Sequence, residues 1–132
     1  MTAIHCNLFR DYHKGHAPLQ RDFVRHLVGC LGIVWEVEVD GPPALEVVVR
    51  TQGDRLTVNL INRGAGETLS PRRVQFDDLP PIEGIRIAVR RAEPPRSVTL
   101  EPSADPVHWT WADGILSITV PSVRIHDILV IS

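Results

Sequence analysis

From Ile33 to the end of this 132-residue chain, apolar side chains recur at nearly every second position, and no other property of the sequence restricts its fold as severely. Successive Cβ atoms of a strand point to opposite faces, so a period of two builds a sheet with one dry and one wet side. A helix requires a period of 3.6. WEVEVD sets Trp35, Val37 and Val39 against Glu36, Glu38 and Asp40, then breaks at Gly41-Pro42-Pro43. LEVVVR and RLTVNLIN flank Thr51-Gln52-Gly53-Asp54, which predicts a β-hairpin with Leu45, Val47 and Val49 facing Leu56, Val58 and Leu60. The glycines and prolines of residues 63–81 describe a long connection. IRIAVRR, SVTLE, VHWTW, ILSITV and IHDILVI follow, separated by Pro94-Pro95, residues 102–106, Asp113-Gly114 and Pro121-Ser122. Asp113-Gly114 reads as a tight hairpin turn. Short strands with a turn signal about every ten residues predict a mainly β chain, an antiparallel β-sandwich of immunoglobulin-like or similar type.

The first 32 residues obey a different rule. AIHCNLF reads as a strand and HKGHAP as a loop. A helix follows, with Pro18 in its first turn, with Leu19, Phe23, Val24, Leu27, Val28 and Leu31 at helical spacing, and with Gly32 as a stop. A lone strand-loop-helix has no sheet of its own to join. It reads as the last βα unit of an α/β domain, so the expected organisation is residues 1–32 as that unit and residues 33–132 as the sandwich.

Composition narrows the partners. With 43% hydrophobic and 23% charged residues and a formal net charge of −2, the chain has the balance of a folded domain, and its length suits one core. Lys14 is the single lysine and the arginines are scattered, so no basic stripe offers itself to nucleic acid. No run approaches the roughly 18 apolar residues of a membrane span, and the opening residues lack the order of a secretory signal, so a cytoplasmic setting without membrane contact is expected. Cys6 and Cys30, each beside apolar residues, are expected to be buried free thiols.

No arrangement of residues announces catalysis. His13 and His16 lie three apart in a loop without a third ligand, so neither a metal nor another cofactor is expected. His126 and Asp127 are adjacent on a strand and point to opposite faces, which denies them the bond of a base and its orienting acid. Glu36 with Glu38, and Asp77 with Asp78, read as solvated acids rather than a pair set across a cleft. Trp109 and Trp111, two residues apart, share a strand face. They are the candidate sugar-binding residues, with burial in the core as the competing reading.

The succession RLTVNLIN, IRIAVRRAEPPRSVTLEP and WTWADGILSITVPSVRIHDILVI resembles the C-terminal β-sandwich of β-galactosidase-type and related glycoside hydrolases. The opening AIHCNLFRDYHKGHAPLQRDFVRHLVGCL is similar to the final strand, loop and helix of the α/β trimerisation domain that precedes that sandwich. The resemblance implies a non-catalytic accessory domain, since the catalytic carboxylates of such enzymes belong to a barrel of which this chain holds nothing. It also implies partners: the remainder of a parent enzyme, or further copies in a homo-oligomer. The alternative is a carbohydrate-binding module using the Trp109 and Trp111 face or the loop of residues 63–81.

Overall fold

Eight strands carry the sequence from Val37 onward in the structure, a computed structural model that describes residues 18–64 and 79–132. They are β1 (Val37–Asp40), β2 (Leu45–Gln52), β3 (Arg55–Asn62), β4 (Ile82–Arg90), β5 (Val98–Glu101), β6 (His108–Ala112), β7 (Ile115–Val123) and β8 (His126–Ile131). Among the described residues one helix, α1 (Pro18–Gly29), precedes them. The strand expected over residues 3–9, His5, His13, His16, Cys6 and the acids Asp77 and Asp78 lie outside the described residues.

The strands form two four-stranded sheets, ordered β1-β4-β7-β6 and β2-β3-β8-β5, and every pairing is antiparallel. This is the predicted sandwich. Its core is built from the apolar parity of the central strands: Leu56, Val58 and Leu60 of β3, Ile85, Ile87 and Val89 of β4, Leu116, Ile118 and Val120 of β7, and Leu129 and Ile131 of β8. The β2–β3 register sets Val47 opposite Leu60 and Val49 opposite Val58, as the alternation requires. On the outer face of β1, Glu38 is held by Arg90 at 3.1 Å and Asp40 by Arg86, exposed cross-strand pairs that add little stability but mark the polar side of an edge strand.

Two turns show how local chemistry fixes register. Asp113 and Gly114 both have positive φ, 52° and 77°, the combination demanded by a two-residue hairpin whose twist matches its strands. At Gly114 an added Cβ would also lie 3.6 Å from the Arg91 carbonyl oxygen. Gly114→Ala is therefore expected to lower stability by about 1–2 kcal/mol, the cost of a left-handed L-residue, while Asp113→Asn stays within about 0.5 kcal/mol. Chemical denaturation of the two variants checks both values.

Pro121-Ser122 does not end a strand as expected from sequence. β7 runs through Pro121 to Val123, and β4 starts at Ile82, three residues before the predicted strand. The register passes from Glu83↔Ser122 to Ile85↔Val120, stepping over Gly84 and Pro121. Gly84 has a φ of 71° and Pro121 has no N–H to donate, so neither side of this step forms an ordinary ladder rung. Both strands change parity together: Ile82 and Ile85 are buried three apart, and so are Val120 and Val123.

The chain divides into two units between Val34 and Trp35. In the first, α1 ends at Gly29 and its polypeptide turns through Gly32, which has a φ of 63°. No residue of α1 is buried, and its apolar Leu19 and Phe23 are 81% and 44% exposed. Cys30 is exposed too, correcting the expectation of a buried thiol. It lies in the turn beyond the helix, 3.7 Å from His26 Nε2, and its apolar neighbour Leu31 is equally uncovered.

Candidate functional site

The alternation that builds the core places two polar side chains on its apolar parity at one end of the sandwich. On β3 the inward series Leu56, Val58, Leu60 continues to Asn62, and on β8 the series Ile131, Leu129 continues to Asp127. Both are buried, with 7% and 5% of their surface exposed. The strands that carry them are paired, with Leu60 opposite Asp127 and the Asn62 N–H donating to Ile125 O at 2.9 Å.

Asn62 is saturated. Its Nδ2 donates to Pro80 O at 2.8 Å and to Arg124 O at 2.9 Å, and its Oδ1 accepts from Gly64 N–H at 2.9 Å. One amide thus ties Gly64 just beyond β3, Pro80 just before β4, and Arg124 in the turn between β7 and β8. Such a complete set is what a buried amide needs.

Asp127 is not. Among the described residues its carboxylate accepts one bond, from Ser103 N–H at 3.2 Å. The remaining acceptor capacity of a carboxylate, about three of four lone-pair sites, is left for whatever occupies the space in front of it. That space is a cleft of about 440 Å³. Ser103, Asp105, Ser122, Arg124 and Asp127 supply its polar wall, and Leu79 and Pro81 its apolar one. Ser103 also shapes the wall, its Oγ accepting from Asp105 N–H at 3.4 Å. A groove lined by Asp54, Arg55, Arg91 and Glu93 elsewhere mixes both charges on side chains of which none is buried.

The residues singled out from sequence lie apart from this cleft. Trp109 and Trp111 do share a face, and it is the inner one: they stand opposite Ile118 and Leu116, whose side chains are 2% and 0% exposed. Trp111 packs against the core and its Nε1 donates to Arg91 O at 3.4 Å. Trp109, on the same edge strand, stays 39% exposed at the rim. His126 is exposed while Asp127 is buried, so strand geometry separates them as expected. His108 and Glu36 are exposed, and Glu38 is engaged by Arg90. Among the described residues no three His, Cys, Asp or Glu side chains group as metal ligands. No described helix is long and apolar enough to cross a membrane.

Asn62 and Asp127 were missed by a reading that searched for motifs. For Asn62 the signal is a polar residue in phase with an alternating apolar series, visible as the last letter of LTVNLIN, whereas both parities of ILVI after Asp127 are apolar and mark no inner side.

No family model matches the sequence, and no curated protein does. Among solved structures the chain is similar to α-L-fucosidase isoenzyme 2 from Paenibacillus thiaminolyticus, with a TM-score of 0.74 and 19% identity. The match covers 96% of this chain and 20% of that one, so the chain spans about a fifth of the length of the fucosidase and shares the fold of that part.

Proposed function

We propose that this chain is a non-catalytic accessory domain of a glycoside-hydrolase-like protein, packing against the catalytic body or against further copies. The observation that carries the reading is the fold likeness: almost the whole chain corresponds to a fifth of an α-L-fucosidase, the proportion of an appended domain rather than of an enzyme. The exposure of Leu19 and Phe23 on α1 supports it, because a helix with two large apolar side chains in water has the character of a surface that packs on something larger. The exposed position of Glu36, and the engagement of Glu38 by an arginine on an open strand face, support it as well.

Two measurements test the proposal together. The isolated chain is expected to release no nitrophenol from nitrophenyl galactosides or fucosides, and to copurify with a glycoside-hydrolase polypeptide encoded beside it. Phe23→Asp is expected to abolish that association while leaving the sandwich folded, since it places a charge on a helix outside the sandwich unit. Hydrolysis by the isolated chain would sink the non-catalytic reading, and association that survives Phe23→Asp would remove α1 as the docking face.

A further inference from the structure

We infer that the cleft in front of Asp127 binds a neutral monosaccharide unit, with the carboxylate accepting hydrogen bonds from neighbouring ring hydroxyls. The inference goes beyond the accessory reading and does not depend on it, since a domain that packs on a parent enzyme has no need of this cleft.

Asp127 is 5% exposed, it receives one bond from the described protein, at Ser103 N–H, and it lines the cleft, where its remaining acceptor sites are available to a ligand. The position did not require an acid for packing alone, because every other inward residue of β8 is apolar. A structural role as the anchor of Ser103 N–H would be met by a single amide oxygen, which leaves the charge and the second oxygen unexplained.

The composition of the wall selects the ligand. Asp105 and Asp127 together disfavour an anion. A bare cation is disfavoured by size and charge: about 440 Å³ far exceeds what one ion needs, and Arg124 brings positive charge to the same wall. The volume falls in the range of small-molecule sites, roughly 300–1,000 Å³. Carboxylate acceptors and two serine hydroxyls match a ligand that presents many hydroxyls, each donor and acceptor at once. Leu79 and Pro81 offer an apolar surface for the C–H face of a sugar ring. Fixed polar groups on one side and an apolar wall on the other are the usual construction of a site for such a ligand.

The test is an amide-resolved NMR titration of the full chain with D-galactose, L-fucose, D-glucose and D-mannose. At least one sugar is expected to give saturable shifts at the amides of Ser103, Ser122 and Asp127, and Asp127→Asn, which keeps an oxygen for Ser103 N–H and removes the charge, is expected to weaken that binding by about tenfold or more. Asp105→Ala, at an exposed position, provides a second weakened variant should Asp127→Asn disturb the fold. The inference is overturned if no sugar moves these amides, if both variants titrate like the parent, or if calcium chloride moves them and the sugars do not. Shifts confined to the indole signals of Trp109 and Trp111 would also overturn it, by assigning recognition to the tryptophan rim. Association with a glycoside-hydrolase partner is read separately by copurification, so a failure of the cleft and a failure of the accessory role remain distinguishable.

Discussion

Asn62→Ala is expected to lower the unfolding free energy of the sandwich by about 2–4 kcal/mol, a loss unusual for a polar residue. The side chain makes three short bonds to backbone groups of three separate segments, at Gly64, Pro80 and Arg124. Each is worth about 1 kcal/mol net, and its removal leaves partners near a buried position with nothing to replace it. For a unit of roughly 100 residues, a change of this size lowers Tm by on the order of 10–20 °C. Asn62→Asp separates the two halves of the amide. The carboxylate still accepts from Gly64 N–H, but its second oxygen faces the Pro80 and Arg124 carbonyls without a proton to donate. Its pKa is then raised in the folded state. Protonation restores a donor below the ordinary carboxyl range, and that contribution is lost as pH rises through the raised value. Asn62→Asp is thus expected to be milder at pH 4 than at pH 7, and denaturation at the two pH values measures the difference. Equal damage at both would mean the donor half of the amide contributes nothing.

The second large effect lies in the core. Leu129 is fully buried on β8, which is paired on both sides, with Val58 of β3 opposite on one flank and Leu100 of β5 on the other. Leu129→Ala removes three methylene-sized groups from the centre of a packed layer, where neighbours collapse only partly into the gap. A loss of about 3–4 kcal/mol is expected. Val49→Ala, on edge strand β2 with the side chain 42% exposed, is the control, and its cost is expected to stay near 1 kcal/mol or below. Guanidinium melts of both variants, analysed with a common slope, provide the comparison. A Leu129→Ala cost as small as that of Val49→Ala would contradict the assignment of β8 to the middle of its sheet.

The architecture was legible because its instructions are local. Val47 against Leu60 and Val49 against Val58 follow from alternation and a two-residue loop, and the Asp113-Gly114 turn states its own backbone geometry. Alternation also separated His126 from Asp127 correctly. It could not say which of the two faces the interior, and so Asp127 passed as half of an unformed pair rather than as a buried charge. Asn62 is in phase with Leu56, Val58 and Leu60, but the partners that make it a tie, Pro80 and Arg124, lie 18 and 62 residues away, beyond the reach of any local pattern. Trp109 and Trp111 were correctly placed on one face, but whether that face is inner or outer depends on β7, whose Leu116 and Ile118 stand opposite them. Cys30 was misread because apolar neighbours in sequence do not bury a thiol that falls in a turn.

The shared step at Gly84 and Pro121 makes β4 and β7 heritable as a couple. Beyond it, the inward side belongs to the opposite parity on both strands, so removing Gly84 alone would return β4 to strict alternation, with Ile82 and Ile85 two apart, while Val120 and Val123 of β7 stayed three apart, and the paired rows would fall out of step by one place. Removing Pro121 alone would do the converse. Only the joint loss, or joint retention, of the two residues keeps both rows of side chains in agreement. Length changes at this spot should therefore arise in lineages as matched events on two segments that sit 37 positions apart.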